Sequence, residues 1–356
     1  MTARPRIIVL TPVRNEAWIL DRFLAVTSRF ADHIVVADQQ STDDSRVIAS
    51  RYPKVTLIDN PSSGFNEAER QLLLLDAARK LVSGPRVLLA LDADEILAAD
   101  GLATRDWSRM LEAAPGTVLG LERVDLLAGE AEVMRHGLWT ALGYVDDGAA
   151  HTPLLIHSTR IPAAEDAPVL VLPGLKVLHY ALVRPTAVAA KSRWYSALEN
   201  VLGTCANPLK RRARYHDMMD FAGTARVEPA DPAWFAGWEA AGVRMRGDQD
   251  ESFYWYDVEV LRLMAQHGER KFWWDDIWDV DWEGLRHELM SGGAAVPGRP
   301  IDPRGIPADP ITGPPAWLRV LLRTIDPPYR AQRALKNQVT PRHRRERSRR
   351  QLPAES

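Results

Sequence analysis

The chain has 356 residues, 46% of them hydrophobic and 26% charged, with a formal net charge of −2. This is ordinary globular composition and gives no overall electrostatic case for nucleic-acid binding. The single cysteine, Cys205, excludes an internal disulfide framework and an all-cysteine metal site.

The first hundred residues alternate short β-branched runs with longer amphipathic stretches, the pattern of βαβ units. "RIIVLTPV" reads as a first strand buried on both faces. "NEAWILDRFLAVTSRF" reads as the helix after it, with Asn15 as its N-cap and Ile19, Phe23, Val26 and Phe30 on the buried face. A second strand "HIVVAD", a helix over "STDDSRVIASRY", a third strand "VTLID", a long helix stopping near Gly84 and a fourth strand "RVLLALDADE" follow. Polar residues close these strands: Arg14, Asn15 and Glu16, then Asp38, then Asp92 and Asp94. In a parallel α/β sheet the ligand lies beyond the carboxyl ends of the strands, so one rim collects them all.

From Leu119 to His179 the pattern is irregular. Strand-like pieces "GTVLGLERVDLL", "HTPLLIHSTRI" and "LKVLHYAL" complete the domain, and "PTAVAAKSRWYSALENVLG" reads as a helix. Most of the 12 tryptophans then fall between acids, as in "KFWWDDIWDVDW". They read as the apolar face of a helical extension, with carbohydrate stacking as a second use for some rings. From about Ser291 a Pro/Gly-rich stretch reads as an extended linker. After it come a short apolar helix "AWLRVLLRTI" and a basic tail expected to be disordered. The division expected is 1–200, 201–290 and 291–356. No signal peptide and no run of about 18 apolar residues is seen, which places the protein in the cytoplasm. The tail helix and its arginines suit the anionic inner face of a membrane, a peripheral contact.

Two observations carry chemistry. Asp92 and Asp94 alternate at the end of a buried strand, where they share a side and are lifted out of the core. Two carboxylates there suit Mg²⁺ or Mn²⁺, which completes its shell with phosphate oxygens and water. Asp38 can accept a hydrogen bond from a planar ligand edge such as the imide N–H of uracil, while Ser41, Thr42 and Asp43 cap the next helix.

In order and spacing, "TPVRNE", "VVADQQSTDDS", "NEAERQ" and "LDADE" resemble a GT-A fold glycosyltransferase of family 2, clearly over about residues 5 to 100. The resemblance weakens to about residue 200, where "HGLWTALGY", "TPLLIHSTR" and "VLHYALVRPTAVAAKSRWYSALE" are similar to bacterial surface-glycan members. It implies a Rossmann-like, mostly parallel sheet flanked by helices, here with a Trp-rich helical C-terminal extension. Pro12, Arg14, Asn15 and Glu16 would line the nucleotide pocket, Asp38 would bind the base, and Arg70 would approach the diphosphate or the acid cluster. Asp92 and Asp94 would bind metal and sugar nucleotide, Asp94 as the direct ligand ahead of Asp92, and His179 would complete the metal shell. Where the family has Gly after the helix-opening Thr-Asp, this chain has Asp44.

The implied reaction is inverting, metal-dependent transfer of a sugar from a UDP- or GDP-sugar to a glycan, lipid-linked or protein hydroxyl. Asp146, Asp147, Glu165 and Asp166 are the candidates for the general base. The alternatives are a sugar-phosphate nucleotidyltransferase, which should show a glycine-rich loop after the first strand, and a non-catalytic sugar-nucleotide or glycan-binding protein.

Overall fold

The computed structural model describes residues 4–62, 66–154, 159–164, 166–216, 226–291, 295–296, 299–300 and 304–339. Strand β1 (Arg6–Val13), helix α1 (Ala17–Thr27), β2 (His33–Asp38), α2 (Ser45–Ser50), β3 (Val55–Asp59), α3 (Glu67–Leu81) and β4 (Arg86–Ala90) follow the expected alternation. Strands β3, β2, β1 and β4 lie side by side and parallel. Ile7, Ile8 and Val9 of β1 and Ile34, Val35 and Val36 of β2 are fully buried, as strands covered on both faces must be. Helix α1 buries Ile19, Leu20, Phe23 and Leu24. Helix α3 turns Gln71, Leu74, Leu75 and Ala78 inward at helical spacing and is capped by Asn66, whose side chain accepts from the Glu69 N–H at 3.1 Å. Each fully buried large side chain contributes about 1.5–3 kcal/mol.

Beyond β4 the sheet becomes mixed. After β5 (Glu95–Leu97), α4 (Arg105–Glu112) and β6 (Val118–Leu126) comes β7 (Glu132–Asp146), fifteen residues long and antiparallel to both β4 and β6. Strand β8 (Val169–His179) pairs parallel to β6 and antiparallel to β5. The α/β architecture is as expected, with a continuous parallel block β3-β2-β1-β4 and one further parallel pair, β6–β8, in the mixed half. The expected strand near "HTPLLIHSTRI" is not found among its described residues, and residues 155–158 lie outside them.

The chain continues through α5 (Pro185–Leu202), α6 (Pro208–His216), β9 (Arg226–Pro229), α7 (Ala233–Ala240), α8 (Trp255–His267), α9 (Trp282–Met290), the short β10 (Ala295–Val296) and β11 (Arg299–Pro300), and α10 (Ala316–Val339). It forms two compact units. The first holds residues up to Tyr180 together with Arg226–Gly247, and the second begins at Ala181 and resumes at Asp248. By contacts the chain therefore divides at different positions from the sequence-based boundary at residue 200.

In the first unit, β9 pairs with β7, and Trp238 of α7 donates its indole N–H to the Leu97 carbonyl at 2.8 Å. In the second, the acids of the Trp-rich stretch meet arginines of α5 and α6. Arg193 pairs with Asp257 at 2.9 Å, Arg211 with Asp275 at 2.6 Å and Arg212 with Asp276 at 2.9 Å. Burial raises the Asp275 carboxyl to about 6 despite the Arg211 guanidinium beside it. Trp278 and Trp282 donate to backbone carbonyls at 3.0 and 2.7 Å, so both rings are placed structurally.

The stretch expected as an extended linker, not packed structure, is tied down where it is described. The Ile311 N–H is accepted by Glu283 at 2.8 Å, and the Thr312 and Gly313 N–H groups by Glu269 at 2.9 and 3.1 Å. Helix α10 runs past the expected short helix and through Pro327 and Pro328, and residues 340–356 lie outside the described part. Among the described residues no helix is long and apolar enough to cross a membrane.

Candidate functional site

The rim at the carboxyl ends of β1, β2 and β4 begins with two loops held together by side chains. Asn15 and Gln40 both take left-handed backbone conformations, φ 58° and 53°, which Asn tolerates better than most residues. The Asn15 N–H donates to Ser41 Oγ at 2.9 Å, and Asn15 Oδ1 accepts from the Thr42 N–H at 2.8 Å. Asp43 Oδ2 accepts from the Ala17 N–H at 3.0 Å, and Ser45 Oγ from the Glu16 N–H at 2.9 Å. Two corrections follow. Glu16, not Asn15, occupies the N-cap of α1. Ser41, Thr42 and Asp43 do not simply cap their own helix, which starts only at Ser45; they satisfy the start of α1 and lock the two loops together. Pro12, Arg14, Asn15 and Glu16 are half-buried along this seam.

Asp38 ends β2 beside Val13 and is 2% exposed. Its Oδ2 accepts from Arg46 at 2.9 Å and from the Ser41 N–H at 3.3 Å. Its Oδ1 is buried with no hydrogen-bond partner among the described residues. An unsatisfied buried carboxylate oxygen is costly, and here it belongs to a side chain at the sheet rim.

Two strand spacings away, roughly 10 Å, the chain leaves β4. Ala93 is buried, and Asp92 and Asp94 on either side of it are half-buried. The next residue, Glu95, is fully buried and accepts from the Asp92 N–H at 3.0 Å. Arg160 reaches both acids, donating to Glu95 at 2.5 Å and to Asp92 Oδ2 at 2.6 Å. Burial alone would raise the Glu95 carboxyl, but the Arg160 guanidinium outweighs it and brings the group down to about 2.

Sheet register brings the remaining members together, since Glu95 faces His179 across β5–β8 and His179 faces Asp125 across β8–β6. His179 Nδ1 lies 2.5 Å from Asp125 Oδ1, and His136 Nε2 lies 3.0 Å from Asp125 Oδ2. Burial would raise the Asp125 carboxyl, but hydrogen bonds from His136 and His179 hold it well below the usual carboxylate range. Ionised Asp125 only accepts, so His179 carries a proton on Nδ1. His179 Nε2 then points toward Asp94 Oδ2 at 3.6 Å. In neutral His179 that nitrogen presents a lone pair to a carboxylate, an arrangement favourable only with a cation between them or a proton on Nε2.

The charges of the cluster do not cancel. Asp92, Asp94, Glu95 and Asp125 are four carboxylates against the guanidiniums of Arg123 and Arg160. With both histidines neutral, two negative charges remain, the amount one divalent ion offsets. Among the described residues no three His, Cys, Asp or Glu side chains are grouped to hold a metal unaided. Asp94 and His179 supply two donors, and the carboxylate behind His179 is the arrangement that orients metal-binding imidazoles. Two protein donors suit Mg²⁺ or Mn²⁺ when substrate phosphates and water complete the shell. The residues fit a nucleotide-dependent ion, with Asp92 taken up by Arg160.

Other expected residues lie elsewhere. Asp146 pairs with Arg86, the first residue of β4, so it sits at the opposite rim. Its side chain is fully buried and bonded to Arg79 and Arg86, each at 2.7 Å. Burial would raise this carboxyl, and the two guanidiniums hold it low instead. Asp147 accepts from Tyr144 at 2.6 Å, also at that rim. Asp166 is exposed just before β8, whose first residue pairs with Val118, again at the far end. These placements argue against all three as the base, and Glu165 lies outside the described residues. Arg70 is half-buried in the first turn of α3. Sequence reasoning missed Glu95, Arg123, Asp125, His136 and Arg160. Only Glu95, adjoining Asp94, carried a signal.

Asp146→Asn is expected to lower unfolding stability in urea by about 2 kcal/mol, because two guanidiniums lose their charge partner. It should leave nucleotide affinity unchanged. Lost binding in a folded variant would place Asp146 in the site after all.

No protein-family model matches the chain, and no curated protein sequence does. Several solved structures resemble part of it. One is a 4-diphosphocytidyl-2C-methyl-D-erythritol synthase, 20% identical over 41% of this chain and 76% of that one, with a TM-score of 0.28. Another is glucosyl-3-phosphoglycerate synthase from Mycobacterium tuberculosis in complex with Mn²⁺, uridine diphosphate and glucosyl-3-phosphoglycerate. It is 18% identical over 34% of this chain and 44% of that chain, with a TM-score of 0.25. A 4-diphosphocytidyl-2C-methyl-D-erythritol synthase from Anaerococcus prevotii DSM 20548 is 14% identical over 33% and 56% of the two chains, with a TM-score of 0.25. Thus the match spans less than half of the glucosyl-3-phosphoglycerate synthase. At these TM-scores the likeness concerns the arrangement of strands and helices over part of the chain, and no activity follows from it.

Proposed function

We propose that the protein is a glycosyltransferase of the family 2 type that moves a sugar from a nucleoside diphosphate sugar, UDP- or GDP-linked, to a hydroxyl acceptor. The observation that carries this reading is the doubly negative cluster at the carboxyl rim, where His179 Nε2 faces Asp94 across 3.6 Å. Asp38 supports it as a carboxylate at the same rim whose Oδ1 has no hydrogen-bond partner among the described residues.

In this reading Asp94 and His179 hold Mg²⁺ or Mn²⁺, which when bound offsets the charge that develops on the departing diphosphate. Asp125 fixes the His179 ring by accepting from Nδ1. Arg160 holds Asp92 and Glu95 in place and keeps the pocket from becoming more negative still. Arg14 and Arg70 lie at the first turns after β1 and at the start of α3, where a basic side chain serves a diphosphate. Transfer is a single displacement with inversion, and the proton of the acceptor hydroxyl goes to a carboxylate other than Asp146, Asp147 or Asp166. The acceptor is a cell-surface glycan, a lipid-linked saccharide or a protein, and the reaction is cytoplasmic.

A non-catalytic sugar-nucleotide-binding protein is the second reading, favoured by the tight hold of Arg160 on Asp92. Calorimetric titration with UDP and GDP in Mn²⁺, followed by incubation with the matching nucleotide sugars, separates the readings. The transferase reading expects metal-dependent binding and consumption of the sugar nucleotide, and binding without consumption would favour the second.

A further inference from the structure

Helix α10 has three faces. At about 100° per residue, Leu318 and Leu322 fall on one side and are buried, at 1% and 5% exposure. They hold the helix against the second unit, where Arg212 of α6 also donates to Asp326 at 2.6 Å. Roughly a third of a turn away stands an apolar face that nothing described covers: Trp317 is 64% exposed, Val320 63% and Leu321 38%. Between these faces, on the remaining side, lie Arg319 and Arg323, both exposed. The helix is therefore fixed to the protein by its inner face, with an outer apolar face and an arginine stripe left over.

We propose that this outer face docks on an anionic phospholipid bilayer, with Trp317, Val320 and Leu321 entering the headgroup–acyl boundary and Arg319 and Arg323 meeting lipid phosphates beside them. Charge complementarity selects this occupant. From Arg330 to Arg350 the sequence carries nine Lys and Arg against one Glu, so an arginine-flanked apolar face runs into a strongly cationic stretch. A polybasic segment next to an amphipathic helix suits an anionic surface. It opposes self-association, because two copies would bring their arginines together. Tryptophan suits the headgroup level, where an apolar ring and an N–H are both accommodated. The inference stands on the second unit alone and is independent of the chemistry proposed for the sheet rim.

The test is sedimentation of the full chain with vesicles of phosphatidylcholine alone and of phosphatidylcholine with phosphatidylglycerol. The wild type should bind the anionic vesicles, more weakly at high salt, and leave the neutral ones. Each basic residue near such a surface strengthens binding about fivefold. Arg319→Gln/Arg323→Gln should therefore weaken it on the order of twentyfold. Trp317→Ser/Leu321→Ser should weaken binding to anionic vesicles even at low salt. Both pairs are exposed, and an unchanged melting temperature would show that the fold is intact. Three results would overturn the proposal: no sedimentation of the wild type, equal sedimentation of both variants through the tail alone, or a wild-type dimer that the Trp317/Leu321 variant converts to monomer.

Discussion

Asp94→Asn abolishes metal-dependent nucleotide binding and transfer while the melting temperature stays the same or rises slightly. The reasoning is electrostatic. Asp94 sits in a cluster with two uncompensated negative charges and lies 3.6 Å from His179 Nε2. Removing its charge relieves repulsion in the folded protein, so no loss of stability is expected. The same change removes one of two protein donors to the ion. Outer partners of metal ligands are worth about 10–100-fold in affinity, so a direct ligand should cost at least about a hundredfold. Turnover of the sugar nucleotide in Mn²⁺, measured beside a thermal melt, checks both halves. Asp92→Asn should behave differently, because Asp92 spends its Oδ2 on Arg160 at 2.6 Å. Full activity in Asp94→Asn would remove the metal role assigned to it.

Arg160→Met should be the more damaging change to the fold. It leaves Glu95 fully buried with Arg123 at 3.6 Å as its remaining cation. Breaking a buried pair on one side typically costs about 3–5 kcal/mol, mostly because the other charge stays behind. Glu95→Gln in the same chain should recover much of that loss, giving a large coupling in a double-mutant cycle.

The pH dependence has a definite sign. The folded-state carboxyl of Glu95 is lowered to about 2, so its contribution is fully present above its ordinary value near 4.3 and is lost as pH falls through the folded value. Wild-type stability should therefore fall between about pH 5 and pH 2. In Arg160→Met the main cation opposing burial is gone and the carboxyl moves upward. Acidification then neutralises a buried charge left with only the more distant Arg123 guanidinium, and stability should hold or rise over the same window. Urea midpoints at pH 3 and pH 6 measure this, and parallel slopes in the two proteins would contradict the role given to Arg160.

The first four strands were legible in the sequence because parallel strands buried on both faces read as unbroken apolar runs, as in Ile7 to Leu10. Strand β7 was not, since Gly137, Gly143 and half-exposed positions break its alternation. That omission explains why Asp146 and Asp147 stood among the base candidates. Asp146 closes its strand just as Asp38 closes β2, but β7 runs antiparallel to β4, so its end lies at the opposite rim. Local periodicity reveals that a strand exists and not its direction. Arg160 was illegible for another reason: it lies outside any helix or strand and acquires its place only through Asp92 and Glu95. His179, by contrast, closes an apolar strand that runs parallel to β6 and so ends at the carboxyl rim. The Ser41–Ser45 cluster shows a similar limit, because capping residues look alike whether they serve their own helix or a neighbour's.

The measurement that bears most directly on the central claim is calorimetric titration of the purified chain with UDP and with GDP, in Mn²⁺ and again after EDTA. One of the two nucleotides should bind, and only while the ion is present. Failure of both nucleotides to bind a folded sample in Mn²⁺ would contradict it and leave Asp94, His179 and Asp125 as an ion network of the sheet alone.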